Sequence, residues 1–159
     1  MLTDCADPDI NCETAFPCQE ASQLYQYIDG KLFEYIDEEW EEITGWTNDF
    51  QGTEINLNAM GYNIDDGFIY GIDRATSNLV RISTVGIESS VDVGLDPQQD
   101  YTVGDMDLEG NLYVTNASGS AGMAIIDVSA QTSTVVNFNG LVGQLRVWDW
   151  AYLPATGKL

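Results

Sequence analysis

The residues from Asp105 to Asn111 have the spacing of chemical groups that is most suggestive of a ligand site. Side-chain carboxylates stand at alternate positions, at Asp105, Asp107 and Glu109, and a glycine occupies the sixth position. Calcium is a hard cation that takes about six to eight oxygen ligands, and the opening of an EF-hand loop shows this alternation. The twelfth position is Asn116 rather than glutamate, so the EF-hand pattern is incomplete.

A second stretch favours a different interpretation of the same residues. Asn63-Ile-Asp-Asp-Gly67 also combines acidic side chains with a glycine, at the corresponding place in an earlier copy of the sequence. Aspartate and asparagine hydrogen-bond their own backbone in tight turns, and glycine supplies a positive φ there. We therefore expect hairpin-turn geometry first and keep calcium, the one cofactor that the sequence suggests, as the alternative.

Trp148 and Trp150 flank Asp149, so a strand at this place would put both indole rings on one face of a sheet. Carbohydrate-binding modules stack sugars on exposed aromatic platforms, and Trp40 and Trp46 could extend such a platform. More often, tryptophans of this kind pack between sheets. The pattern predicts either a carbohydrate site at Trp148 and Trp150 or a buried aromatic contact.

The sequence contains no histidine. This removes the usual general base, the Ser–His–Asp and Cys–His constellations, and most zinc chemistry. A carboxylate pair of the glycosidase type remains compatible with 26 aspartates and glutamates, but no spacing singles one out. We therefore predict a protein that is not an enzyme, and we rank a propeller-type lactonase or lyase last among the alternatives.

All three cysteines, Cys5, Cys12 and Cys18, lie within the first 18 residues. Their gaps are too wide for the Cys-x-x-Cys knuckle of a zinc site. A disulfide formed in an oxidising compartment is the use that we predict, with the pairing left open because the number of cysteines is odd. This use indicates a secreted protein or one displayed at a cell surface.

The charge of the chain is strongly one-sided, because 26 acidic residues stand against 5 lysines and arginines and the formal net charge is −21. Such a surface repels the phosphate backbone of nucleic acids and anionic lipid headgroups. The sequence also shows no apolar run of transmembrane length. We expect neither nucleic-acid binding nor membrane insertion, whereas calcium and basic partners remain compatible with the charge.

The elements that would position these side chains begin after an irregular lead-in, residues 1–20, which shows neither helical nor strand periodicity. A β-repeat domain is predicted over residues 21–159. Strands over residues 22–27 and 31–36 flank Asp29-Gly30, which is a strong hairpin signal, and residues 40–44 form a third strand. A helix over residues 35–43 is the competing interpretation, although its four glutamates would repel one another at helical spacing.

The remainder of the domain is built from imperfect copies. One runs from Gly61 to Asp73, the next from Gly104 to Asn116, and a third begins at Trp148. Tyr70 and Tyr113 are 43 residues apart (113 − 70 = 43), which is a typical length for a four-stranded propeller blade. A second pair of matching runs, beginning at residues 79 and 123, has nearly the same spacing (123 − 79 = 44).

Each copy predicts a four-stranded antiparallel meander, so the predicted fold class is all-β and of the β-propeller type. The predicted strands cover residues 57–63, 67–73, 79–83 and 89–93 in the first meander, and residues 101–107, 111–115, 123–128 and 133–138 in the second. Residues 144–152 are predicted to form the first strand of a further unit.

The order of these strands suggests a hypothesis about assembly. The sequence starts at the second strand of one blade and ends at the first strand of another, so the two ends could form one composite blade and give about three blades in all. Propellers usually have about four to eight blades. Either the chain is a fragment of a longer repeat array, or copies associate to complete a ring, or an open sheet edge accepts another strand.

Three runs carry a resemblance to a known family: Asn58-Ala-Met-Gly-Tyr-Asn-Ile-Asp-Asp-Gly-Phe-Ile-Tyr-Gly71, Gly104-Asp-Met-Asp-Leu-Glu-Gly-Asn-Leu-Tyr-Val114 and Asp149-Trp-Ala-Tyr152. They are similar to an uncharacterised, propeller-like repeat domain of secreted and surface proteins of bacteria. The resemblance covers about residues 18–159. It implies an extracellular repeat protein, and it supplies no catalytic residues.

These observations predict a secreted or cell-surface module that is structural, adhesive or protein-binding, and that associates with a protein partner or with itself through open sheet edges. The alternative is an extracellular domain that binds calcium or carbohydrate through the residues named above.

Overall fold

The computed structural model describes residues 15–16, 24–120, 122–138 and 149–153. All regular structure in these ranges is β, which confirms the predicted fold class. The strands are β1 (Tyr25–Ile28), β2 (Lys31–Ile36), β3 (Glu39–Glu42), β4 (Asp49–Phe50), β5 (Thr53–Glu54), β6 (Leu57–Asn63), β7 (Phe68–Asp73), β8 (Leu79–Ser83), β9 (Gly86–Val91), β10 (Tyr101–Met106), β11 (Asn111–Asn116), β12 (Met123–Asp127) and β13 (Thr132–Val136).

The N-terminal sheet has the order β1-β2-β3, with antiparallel neighbours. Asp29 and Gly30 join β1 to β2 with φ values of 49° and 78°, the left-handed pair that a type I′ hairpin requires. The three predicted strands are confirmed here, and the alternative of a helix over residues 35–43 is wrong. Because side chains alternate in a strand, β3 divides its glutamates between two faces instead of crowding them on one.

A short hairpin between the N-terminal sheet and the next one was not predicted from the sequence. It pairs β4 with β5, and Gln51 and Gly52 form its turn with φ values of 53° and 81°. Strands of two residues are too short to show an alternation of apolar and polar side chains, so no periodic signal marks them.

The two predicted meanders are confirmed. The middle sheet has the order β6-β7-β8-β9, the C-terminal sheet has the order β10-β11-β12-β13, and both are antiparallel throughout. Seven of the eight predicted strands agree closely with the observed ones. The exception is β9, which begins at Gly86 rather than at residue 89, because Ser83 and Gly86 pair directly across a tight turn.

Both first strands carry a bulge at the corresponding place. The pairing shifts between Asn58 and Gly61 in β6, and between Tyr101 and Val103 in β10. The two bulges begin 43 residues apart (101 − 58 = 43), which is the spacing of the tyrosines. The repeat in the sequence is therefore a repeat of backbone geometry.

The three larger sheets are stacked face to face, with a core in each gap. Leu32 of the N-terminal sheet packs with Ile69, Val80 and Ile82 of the middle sheet. On its other face the middle sheet packs against the C-terminal sheet through a second cluster. That cluster includes Phe68, Tyr70, Ile72, Leu79, Leu112, Val114, Ala124 and Ile126. All six residues of β7 are buried, since the middle sheet is covered on both faces.

Several predictions concern residues near the two ends of the chain. Cys5, Cys12 and Cys18 lie outside the described residues, as do residues 144–148 and most of the predicted lead-in. Phe16, within that lead-in, is 2% exposed and donates its N–H to the Gly67 carbonyl at 2.7 Å. Residues 149–152 are not in a strand, so the strand predicted over residues 144–152 is wrong for this part, and Leu153 forms an isolated β-bridge.

No described segment forms a helix that is long and apolar enough to cross a membrane.

Candidate functional site

Among the described residues, the first strands β6 and β10 make the most extensive contact between two sheets. A β-carbon placed on Gly61 would lie 2.8 Å from the backbone nitrogen of Met106. A β-carbon on Gly104 would lie 2.8 Å from the Cα of Ala59 and would overlap its carbonyl carbon. Glycine at these two positions therefore lets successive sheets meet backbone to backbone.

A similar contact recurs on the far side of β10. The backbone N–H of Tyr152 donates to a carboxylate oxygen of Asp105 at 2.6 Å, so the segment 149–153 lies against β10. Desolvation and the charges of Glu109 and Asp107 raise the pKa of the Tyr152 phenol. At Tyr152 the N–H therefore binds a side chain of β10 rather than a backbone carbonyl.

Asp107, a predicted calcium ligand, is the centre of the turn between β10 and β11. One of its oxygens accepts the backbone N–H groups of Glu109 and Asn111 at 3.0 and 2.8 Å. The other accepts the Asn111 amide and the Tyr113 hydroxyl, both at 2.9 Å. Desolvation opposes ionisation, but these hydrogen bonds outweigh it and hold the pKa of Asp107 below its ordinary value.

The other two predicted ligands have different surroundings. Asp105 accepts the N–H of Met106 at 2.8 Å in addition to that of Tyr152, while Glu109 is exposed. Within the described ranges, no three Asp, Glu, Cys or His side chains are grouped in a way that could hold a metal ion. The geometry is that of a hairpin turn, and calcium binding at Asp105, Asp107 and Glu109 stays a prediction.

The tyrosines that revealed the repeat both bind a turn aspartate. Tyr70 donates to Asp66 at 2.6 Å, and Tyr113 donates to Asp107 at 2.9 Å. Burial raises the pKa of Asp66, and burial together with the Asp66 hydrogen bond raises the pKa of Tyr70 well above its ordinary value. In each meander, therefore, a tyrosine of the second strand is bound to the turn before it. The 43-residue spacing showed that the two tyrosines correspond, but it did not show what they bind.

The predicted carbohydrate platform is only partly described. Trp148 lies outside the described residues. Trp150 is half-buried, and its indole nitrogen is buried without a hydrogen-bond partner among the described residues. Trp46 is partly buried and packs against the core between the N-terminal and middle sheets, and its indole nitrogen donates to the Ser83 carbonyl at 2.9 Å. A carbohydrate site at Trp148 and Trp150 therefore stays a prediction.

Trp40 belongs to an exposed apolar surface on the outer side of the N-terminal sheet. In β2 the residues alternate, so Leu32 points into the core while Phe33 and Tyr35 point away from it. Tyr35 of β2 pairs with Trp40 of β3, and the centres of the two rings lie 5.2 Å apart. Trp40 and Ile28 are 46% and 44% exposed. We call this surface, formed by Ile28, Phe33, Tyr35 and Trp40, the N-terminal open face.

The C-terminal sheet has a comparable surface on its outer side. Leu112, Val114, Ala124 and Ile126 point towards the middle sheet, so their neighbours in β11 and β12 point outward. Tyr113 pairs with Ile125 across the sheet, and Met123 pairs with Val136, which is 44% exposed. We call this surface, formed by Tyr113, Met123, Ile125 and Val136, the C-terminal open face.

A surface depression of about 460 Å³ lies where the loop after β7 meets the loop before β10. Its lining residues are Asn56, Arg74, Ala75, Pro97, Gln98, Gln99 and Asp100. Arg74 is held by Asp100 through two hydrogen bonds of 2.8 and 2.7 Å. The Arg74 hydrogen bond also holds the pKa of Asp100 below its ordinary value. The guanidinium charge is thus matched within the chain, which leaves amide groups as the main hydrogen-bonding groups of the depression.

Residues 19–157 match a family model described as a repeat of unknown function, DUF6923. The chain belongs to the DUF6923 family. The match spans every strand from β1 to β13, so the DUF6923 repeat corresponds to the stacked meanders. No curated protein matches the chain.

Sequence reasoning on this DUF6923 chain identified the repeat but missed the two open faces. The signal for the N-terminal open face was present, because Phe33 and Tyr35 alternate with Leu32 in a predicted strand. The sequence could not show which of the two alternating sets is covered by the neighbouring sheet.

Proposed function

We propose that this chain is a non-enzymatic structural or adhesive module of a secreted or cell-surface protein. It is built from propeller-type blades and acts by binding proteins, including copies of itself. The observation that carries the proposal is the pair of apolar open faces at the two ends of the sheet stack. Contiguous apolar surfaces that remain accessible to solvent typically mark interaction sites.

The contacts between sheets inside the stack support this proposal, because there the faces of the sheets are covered by a neighbouring sheet. Phe68, Ile72, Leu112 and Ile126 are each 0% exposed where the middle and C-terminal sheets meet. At the same kind of position on the N-terminal open face, Trp40 is 46% exposed. Covering an open face to the same degree would remove large aromatic and aliphatic side chains from water, which favours association.

The roles of the carboxylates also support an interaction module. Asp73 accepts the Ala75 N–H at 3.1 Å and the Thr76 hydroxyl at 2.7 Å, and Asp127 accepts the N–H groups of Ser129 and Ala130 at 3.0 and 2.9 Å. Together with Asp107, these groups serve as turn acceptors. Their charges contribute to the acidic surface that keeps such a module soluble while its faces are uncovered.

The test is sedimentation velocity on the purified chain over a wide concentration series at low and moderate salt. We expect the average mass to rise above 17.5 kDa with concentration, and to rise more at moderate salt, because salt screens the repulsion between copies that each carry a charge of −21. A mass of 17.5 kDa at every concentration and both salt levels would contradict self-binding. Binding on a neutral-glycan array in that case would support the carbohydrate alternative.

A further inference from the structure

The middle sheet shows that the two faces of a repeat have different partners. Its Ile69, Val80 and Ile82 pack on the preceding sheet, whereas its Phe68 and Ile72 pack on the following sheet. In strand order, the N-terminal open face is the side on which a preceding sheet would pack. The C-terminal open face is the side on which a following sheet would pack. The two open faces are therefore the two complementary sides of one repeated interface.

We propose that the N-terminal open face of one molecule packs on the C-terminal open face of a second copy, so that the stack of sheets continues from one molecule into the next. The proposal deepens the proposed function and rests on it, since it names the partner and the two surfaces. It predicts a head-to-tail contact rather than one in which identical faces meet.

The segment 149–153 shows that the C-terminal side of the stack already accepts further chain. It lies against β10 through the hydrogen bond of Tyr152 to Asp105, on the side of β10 that faces away from β6. The outer part of the same sheet, with Met123, Ile125 and Val136, stays half-buried or exposed beside it. A second copy would cover this remaining part and extend an interface that the chain has begun to form within itself.

The distribution of charge favours contact through these two faces. On the N-terminal open face Lys31 and Glu42 neutralise each other at 2.6 Å. The C-terminal open face is bordered by the hydrogen-bonded carboxylates of Asp105, Asp107 and Asp127 and by the exposed Glu109. A head-to-tail contact sets these carboxylates opposite the neutralised Lys31–Glu42 pair, so it brings fewer like charges together than a contact between two C-terminal open faces would.

Two copies can satisfy both faces of each molecule at once. The described part of each copy contains three stacked sheets of three or four strands, so a reciprocal pair contains six of these sheets. Closed propellers typically have about four to eight blades, and a ring of six lies within this range. A closed ring leaves no face uncovered, whereas an open head-to-tail chain would keep growing. The expected assembly is a dimer with two equivalent interfaces.

The experiment uses two variants, each of which places a charge on one face. Trp40→Glu alters the N-terminal open face, and Val136→Glu alters the C-terminal open face. Both side chains are close to half exposed, so the fold should tolerate the change. Val85→Glu is the matched control, because Val85 is 57% exposed and lies in the turn between β8 and β9, away from both faces.

The wild type and Val85→Glu should form dimers with the same dissociation constant. Trp40→Glu and Val136→Glu should each dimerise about thirty-fold more weakly or worse when studied alone, as expected for a charge in a dry interface. Mixing the two variants should give a one-to-one dimer that is tighter than either variant forms alone but weaker than the wild type, because one of its two interfaces joins two intact faces and the other joins two altered faces. Circular dichroism and thermal melts would establish that each variant is folded, and Ile28→Glu and Ile125→Glu would replace any variant that is not.

The outcomes separate the two proposals. A wild type that stays monomeric overturns the proposed self-binding and this inference with it. If the wild type dimerises and one variant alone still does so normally, the contact joins identical faces and the head-to-tail arrangement is wrong. A mixture that dimerises no more tightly than either variant alone, or wild-type assemblies that grow beyond the dimer, would also overturn the reciprocal pair while leaving self-binding intact.

Discussion

Adding a single methyl group at the contact between β6 and β10 tests the stacking of sheets directly. In Gly104→Ala the new carbon would lie 2.8 Å from the Cα of Ala59. Carbon atoms in contact normally lie about 3.5–4.0 Å apart, so the first strands would have to separate by about 1 Å. The obstacle is backbone, which cannot rotate out of the way as a side chain can.

The cost follows from that separation. A gap of about 0.5–1 Å removes about a quarter to a half of the dispersion energy of each contact across an interface. Overpacking a core typically lowers the free energy of unfolding by about 1–3 kcal/mol. Because the obstacle to Gly104→Ala is backbone, we expect a loss in the upper part of this range, at about 2–3 kcal/mol. For a chain of this length the melting temperature should fall by about 4–12 °C.

Urea unfolding followed by tryptophan fluorescence would measure this loss of stability, since the partly buried Trp46 packs against the core between the N-terminal and middle sheets. The matched control is Gly71→Ala. A β-carbon there would lie 2.8 Å from the Cγ of Met60 and 3.3 Å from the backbone oxygen of Asn58. Since the nearer obstacle is a side chain and the backbone atom is farther away than in Gly104→Ala, we expect a smaller loss of stability, of about 1 kcal/mol. If the two variants lost the same free energy of unfolding, or if Gly104→Ala lost none, the close backbone contact between β6 and β10 would be wrong.

Three further predictions concern the turn at Asp107. Asp107→Asn should lower the free energy of unfolding in urea by about 1–3 kcal/mol, because both oxygens of Asp107 accept hydrogen bonds and the amide nitrogen of asparagine cannot accept one. Asp127→Asn is the control. It should cost less than about 0.5 kcal/mol, because a single oxygen of Asp127 accepts all of its hydrogen bonds. Burial and the Asp107 hydrogen bond raise the pKa of Tyr113 from 10.0 to about 12, so the stability gained from the neutral phenol should be complete below pH 10 and lost as the pH rises towards 12. Urea unfolding across this range should show a smaller decline for Tyr113→Phe, and an unchanged decline would argue against the assignment. Since both oxygens of Asp107 already accept hydrogen bonds, saturating calcium should leave the melting temperature unchanged, and a clear rise would favour the calcium alternative.

The 43-residue spacing of the copies predicted the two meanders, because a meander is a series of hairpins and each hairpin depends on residues that are close together in the sequence. Asp29-Gly30 also predicted its turn, since few dipeptides adopt two positive φ values. Aligning the two copies of the repeat was less informative about the direction in which corresponding residues point. Gly61 and Gly104 match in sequence, yet Gly61 pairs with Tyr70 whereas Gly104 pairs with Val114, because the second turn is one residue longer (112 − 106 = 6 against 68 − 63 = 5). The two glycines therefore point towards each other from opposite sides of one gap.

The candidate surfaces were harder to predict for a physical reason. Alternation in a strand shows that two sets of side chains point in opposite directions, but burial depends on what packs against each set. Phe33 and Val80 occupy similar apolar positions in their strands, yet Val80 is 0% exposed and Phe33 is not buried. The difference is the presence of a neighbouring sheet, which lies beyond any local pattern.

The burial of β7 on both faces has a consequence for how the molecule loses its structure. Every residue of β7 is covered, whereas the N-terminal and C-terminal sheets are each covered on one side by the middle sheet. When units contact only their neighbours, the cost of opening one unit depends on how many neighbours it has. The outer sheets should therefore open locally before the middle one, and amide protons of β7 should exchange most slowly. A partner that covers an outer sheet would act as a cap against this fraying, so binding and resistance to proteolysis would rise together.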